Sequence, residues 1–242
     1  MRPRERQHRQ LDLPRHNYAV GAVNPKKPRQ VVVTFGSYIN ANSNESNGCA
    51  PAGFSNLGLN LYTGVKTVGA CNNDIVVSVS NDGGATFTGT HTDVRGLTSA
   101  TPARQQRTSD QWFQWATFTK SGRFAVSYYD RQYGDDEITG YSDFSLSGSD
   151  DLVSFGTARV TSKSSPPPTE FSGLFWGDYT GLSAIDNQAH PAWSDTRPLD
   201  VFLCPGTGAP GVPPAICTGT APNAPLANDQ DFFTAIVNIP SH

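Results

Sequence analysis

A stretch of this chain occurs more than once. Asp110–Arg131, DQWFQWATFTKSGRFAVSYYDR, lies without gaps on Trp176–Arg197, WGDYTGLSAIDNQAHPAWSDTR. Each reads as a β-rich run, a polar turn (Lys120-Ser121-Gly122 or Asp186-Asn187-Gln188), a second β-rich run and an arginine. A further copy at Asn17–Tyr38 has a longer Asn-Pro turn and no terminal arginine. After the first hairpin come strand candidates at Asp74–Ser80 and Thr86–Asp93, and after the second at Gly140–Leu146 and Ser154–Thr161. After the third only Asp231–Ile239 follows. Units of four, four and three antiparallel strands predict an all-β chain built of β-propeller blades, with about three blades visible near 16–95, 108–161 and 171–240.

The intervening stretches fit that plan. Insertions near 40–73 and 199–229 fall between second and third strands and carry the cysteines, Cys49 with Cys71 and Cys204 with Cys217. Neither pair has zinc-site spacing, so they read as two loop-closing disulfides of an oxidising compartment, or else as four free structural thiols. SKSSPPPTE at 162–170 reads as a stiff linker between the second and third units. The segment 1–15 holds Arg2, Arg4, Arg6, Arg9 and Arg15 against Glu5 and Asp12; it is expected to be a disordered basic segment and has no apolar core of an export signal.

Composition excludes several classes. With 23 Gly and 18 Pro in 242 residues, a helical bundle is a poor fit. The net charge of -3 argues against nucleic acid as a partner. Mean hydropathy is -0.42, and no apolar run reaches the ~18–20 residues of a membrane span.

Ser80-Asn81-Asp82-Gly83-Gly84-Ala85-Thr86-Phe87 matches the pattern S-x-D-x-G-x-T-[W/F], and Gly148–Phe155 is a degenerate copy keeping Asp150, a hydroxyl and Phe155. In such a turn the Asp accepts backbone N–H bonds, glycine supplies left-handed positions and the aromatic tucks under the sheet. Ser80, Asp82, Gly84, Thr86, Phe87, Asp150 and Phe155 are thus structural turn residues, expected on the face opposite any site. On these motifs the chain, from about residue 16 onward, resembles the sialidase-like (BNR, Asp-box repeat) propellers. That family has six blades, so the resemblance implies the C-terminal half of a propeller. Either a truncated gene product has lost the other blades and the export signal, or two chains associate as a homodimer to complete a ring.

In an up-and-down blade the start of the first strand and the end of the second share one face, so these ends line one mouth. There the sequence places His16 and Asn17, then Asp110, Gln111, Trp112, Gln114, Asp130 and Arg131, then Trp176, Asp178, Tyr179, Asp195 and Arg197. Aromatics, carboxylates and arginines together suit a carbohydrate. The resemblance implies a secreted exo-glycosidase acting on terminal, sialic-acid-type glycosides of a glycan or glycoprotein, with a Tyr nucleophile. Tyr179 takes the nucleophile's place, with Asp178 beside it. Glu170 or Glu137 is the assisting base, Arg131 and Arg197 are two of three carboxylate-clamping arginines, and Trp112 and Trp176 are sugar platforms. The family's early arginine motif is absent and its general acid is not identifiable, which favours an alternative, a non-catalytic extracellular glycan-binding or scaffold propeller. Plainer alternatives stand beside each role: Tyr179 as a sheet aromatic, Arg131 and Arg197 pairing with Asp130 and Asp195, and Trp112, Trp115, Trp176 and Trp193 as core. The acidic run Asp130, Asp135, Asp136 and Glu137 either binds Ca²⁺ or is a solvated loop. The five His (His8, His16, His91, His190, His242) show no ligand spacing, so no transition metal is expected, and apart from that calcium alternative no cofactor. Asn44-Glu45-Ser46 is a glycosylation sequon.

Overall fold

The computed structural model describes residues 18–43, 46, 48–54, 56, 60–63, 71–89, 94–133, 141–166, 176–197, 199–200, 227–228 and 230–242. The basic segment 1–15, His16, Asn17, His91, the sequon's Asn44 and Glu45, the acidic positions 135–137, Glu170, Cys204 and Cys217 lie outside the described residues. The chain is all-β, with three larger antiparallel sheets, two two-stranded ones and no α-helix among the described residues. No helix there is long and apolar enough to cross a membrane.

The first sheet starts with the hairpin of β1 (Val20–Val23) and β2 (Val31–Ser37). Asn24 opens its turn: the Oδ1 accepts the Lys26 N–H at 2.9 Å and the amide donates to Gln30 Oε1 at 2.7 Å. The first insertion forms its own hairpin, β3 (Ala50–Phe54) with β4 (Asn60–Thr63), and a Cys49–Cys71 disulfide closes it with both cysteines buried. β5 (Asp74–Ser80), at its predicted bounds, then pairs with the whole of β2. The fourth strand differs from the expectation at Thr86–Asp93. Among the described residues of that stretch, 86–89, Thr88 continues the ladder, its N–H reaching Val79 O at 2.9 Å and its hydroxyl accepting from the Val79 N–H, and 90–93 lie outside the described residues. Gly89 then turns the chain at φ +88°, where a Cβ would lie 2.5 Å from Leu97. β6 (Thr98–Ser99) takes the remaining edge, giving the order β1-β2-β5-β6.

The second sheet is a meander of β7 (Gln111–Phe118), β8 (Phe124–Asp130), β9 (Asp143–Ser149) and β10 (Gly156–Arg159). β9 therefore begins later than the predicted Gly140. In the third sheet β11 (Gly181–Ile185) pairs with β12 (Gln188–Asp195). The second insertion leaves through a short ladder of β13 (Leu199–Asp200) and β14 (Ala227–Asn228). β15 (Asp231–Thr234) and β16 (Val237–Asn238) follow along β12, so the predicted run 231–239 is broken at Ala235-Ile236. The repeat is real as hairpins but not as a gapless register. The β7–β8 turn spans Thr119–Arg123, whereas β11 and β12 are joined by Asp186-Asn187 alone, with Asp186 at φ +53°.

The second sheet is packed on both faces. Toward the first sheet, Phe124, Val126, Tyr128, Ala116 and Phe155 meet Val32, Ile75 and Val77. Toward the third, Trp112, Tyr129 and Phe144 meet Trp176 and Trp193, while Ala125 and Leu146 meet Ala189 and Ile239. Double-sided burial explains why β8 and β9 are buried at every position while β2 alternates. The last residues lie against β9 and β10, where a Cβ on Gly148 or Gly156 would meet Pro240 O at 2.4 Å or Ser241 O at 2.2 Å. The stretch expected to be a stiff linker is partly stapled down. Ser142 and Ser165 exchange backbone hydrogen bonds, and the Ser165 hydroxyl donates to Asp195 Oδ1 at 2.9 Å.

Candidate functional site

The three hairpins begin at one end of the assembly, and β7 packs between β1 and β11. Where their starts meet lies a cleft of about 360 Å³ walled by Tyr18, Phe113, Gln114, Trp115, Asp178 and Tyr179. Its shape depends on a bulge in β7: Trp112 opposes Tyr129 and Trp115 opposes Ser127, so two residues face one. Phe113 sits there at φ +53°, a conformation that costs a non-glycine residue energy and that clusters at functional sites. Strict alternation would put Trp112 and Trp115, three apart, on opposite faces; the bulge sets both on the face of Tyr129 and Ser127, where Trp112 is buried and Trp115 is exposed.

Cross-strand hydrogen bonds hold this shape. The Gln114 side-chain amide donates to the carbonyls of Tyr18 and Thr34, fixing β1 against β7. The Thr180 hydroxyl donates to Phe113 O at 3.0 Å, fixing the approach to β11 against the bulge. The Tyr18 ring then lies 6.2 Å from Phe113 and 6.3 Å from Tyr179, centroid to centroid. Tyr179 is 71% exposed and Asp178 is exposed beside it.

Of the predicted mouth residues, the structure brings Gln114, Asp178 and Tyr179 into this cleft and places Trp112, Trp176, Arg131 and Arg197 elsewhere. The expected sugar platforms Trp112 and Trp176 are core: both are buried, packed edge to face at 5.5 Å, and Trp112 also stacks on Tyr129. Both expected clamping arginines are engaged. Arg131 has a side chain 1% exposed, lies 4.9 Å above the Trp112 ring and faces Asp110, not Asp130, at 3.8 Å. Arg197 forks onto Asp195 at 2.6 to 3.0 Å and lies over Phe233. Burial alone would raise the Asp195 carboxyl, but hydrogen bonds from Arg197, Ser165 and Trp193 outweigh it and hold it below its ordinary range. Glu170 and Glu137, the candidate bases, lie outside the described residues. Phe113 had no signal in strand periodicity, because a bulge re-aims side chains that strict alternation assigns to the other face, and Tyr18 precedes β1, outside any strand pattern.

Between the first and second sheets is a buried polar cluster. The Asp130 carboxylate accepts from Gln106, Gln111 and Gln132. Asp110 Oδ1 accepts the Asn73 N–H at 2.8 Å, and Asp74 Oδ2 accepts the Asn42 amide at 2.7 Å. Burial pushes all three carboxyls up, Asp74 to about 8. Among the described residues no group of three or more metal-ligating side chains converges.

The opposite end carries the turns. Asp82 accepts from the Ser80 hydroxyl and from the N–H and hydroxyl of Thr86, contacts that hold its carboxyl well below the usual range. In the second turn the organising carboxylate is Asp151, one residue after the predicted Asp150. It accepts from Ser149 Oγ and from the N–H groups of Val153 and Ser154, which draw its pKa down to about 2. Asp150 instead faces Arg123 at 3.4 Å. The predicted tucked aromatics also divide: Phe155 is buried against Phe124, whereas Phe87 is 40% exposed. A second cleft of about 650 Å³ opens here among Asn24, Lys26, Lys27, Arg123, Asp150 and Asp186. Its arginine is already held by Asn187 and Pro240 O. No protein-family model, curated protein or solved structure matches this chain.

Proposed function

We propose that this chain is part of a secreted, sialidase-like β-propeller whose three sheets are blades, and that the cleft at the starts of β1, β7 and β11 binds a glycan without hydrolysing it. The carrying observation is the cleft itself: Tyr18, Phe113, Trp115 and Tyr179 offer ring faces around one concavity, with Asp178 at its rim. Aromatic faces cover the C–H faces of sugar rings, and a carboxylate accepts their hydroxyls. The Cys49–Cys71 disulfide supports the extracellular reading.

A second reading is favoured by the exposure of Tyr179 next to Asp178. In it Tyr179 attacks an anomeric carbon, as the resemblance implies. Incubation with a glycan array and with fluorogenic glycosides separates the two. The binding reading expects retention of glycans with no turnover, unchanged in Tyr179→Phe, which keeps the ring, and lost in Tyr179→Ala. Turnover abolished by Tyr179→Phe would establish the hydrolase instead, and no retention of any glycan would reject both.

A further inference from the structure

The groups that would recognise a carboxylate are committed elsewhere. Arg131 lies over Trp112 and faces Asp110, and Arg197 is forked onto Asp195. Among the described residues no Lys, Arg or His lines the cleft, and the one charged wall residue is Asp178. Two of the neutral donors on its walls are committed as well. Both N–H bonds of the Gln114 amide go to main-chain carbonyls, and the Thr180 hydroxyl goes to Phe113 O. A carboxylate-bearing sugar entering here gives up water beside Asp178 and meets no cation among the described residues, so desolvation and like-charge repulsion both oppose it. A neutral sugar meets neither penalty. An ammonium group gains from both, since ring faces attract cations and Asp178 supplies the counter-charge.

We infer that this cleft selects neutral or amine-bearing sugars and rejects carboxylate-bearing ones, the opposite of what the resemblance implies. The preference rests on the glycan-binding reading above, and the test separates the two. The full chain, disulfide intact, is titrated calorimetrically with N-acetyllactosamine, with the same disaccharide capped by sialic acid, and with a glucosamine oligomer. Binding of the uncapped or amine-bearing sugar about tenfold or more tighter than the sialylated one is expected, since unfavourable charge juxtaposition commonly sets partner choice. Asp178→Asn should narrow that ratio and weaken the glucosamine oligomer, while Tyr179→Ala should weaken every sugar. Equal or tighter binding of the sialylated sugar overturns the preference while leaving the glycan reading intact. Binding of none of the three overturns the glycan reading and the preference with it. A ratio unchanged in Asp178→Asn overturns the electrostatic cause assigned here.

Discussion

Asp74 sits fully buried at the start of β5, with Asn42 donating to Oδ2 and Oδ1 left without a hydrogen bond. Burial is the largest influence on it; the Asn42 bond opposes, and the charges of Asp110 and Asp130 add to the upward push, to about 8. The folded chain thus binds a proton that the unfolded chain releases near its ordinary value of 3.8. Stability from this group is complete below that ordinary value and is lost as pH rises toward the folded value of about 8. Asp110 and Asp130, also raised by burial, act with the same sign. Asp74→Asn, which keeps the shape without the proton, should show a thermal midpoint that falls less than the wild type's between about pH 5 and 8.5. Superimposable slopes would refute the assignment. The sequence offers Asp74 only as the first residue of a strand, because a pKa depends on neighbours 32 to 56 positions away that only folding supplies.

At the scale of the element, the turn between β9 and β10 shows how a motif can be readable while its register is not. Two consecutive aspartates compete for one role, and spacing from the aromatic picks Asp150. Contacts pick Asp151, because it stands two residues after a strand-terminal serine, as Asp82 does after Ser80. Asp151→Asn should therefore lower the thermal midpoint measurably more than Asp150→Asn, whose carboxylate makes a single exposed ion pair. Equal effects would return the role to Asp150. The β7 bulge is the same lesson in a strand: DQWFQWATF has nothing that marks Phe113 for a left-handed conformation, and yet that one residue decides which aromatics face the cleft.

At the scale of the molecule, the middle sheet is the keystone. Trp193 stacks on Phe144 at 5.0 Å, and its indole N–H donates to Asp195 Oδ2 at 3.1 Å, so it joins the third sheet to the second and steadies the Arg197 pair. Trp193→Ala should cost about 3–5 kcal/mol, the range for deleting a buried large aromatic, as measured by denaturant unfolding. A loss below about 1 kcal/mol, the level of a surface substitution, would show that the two sheets are not docked through this stack. The four tryptophans, all read from the sequence as core and two of them, Trp112 and Trp176, also as sugar platforms, divide by depth: Trp112, Trp176 and Trp193 are core, and Trp115 reaches the cleft.

Sequence alone pointed to the all-β class, the three hairpin units, the strand Asp74–Ser80 at its bounds, the Cys49–Cys71 pairing and the turn that Asp82 organises after Ser80. These follow from local periodicity, turn chemistry and short spacings, which act within a few residues or one loop. Tertiary structure alone decided that Arg131 and Arg197 are consumed by Asp110 and Asp195, and that Thr98–Ser99 completes the first sheet. It also decided that Tyr18, Phe113, Trp115 and Tyr179 share one concavity. Each of these outcomes is a competition among partners distant in the chain, settled by burial and by which side chains the packed sheets bring within reach.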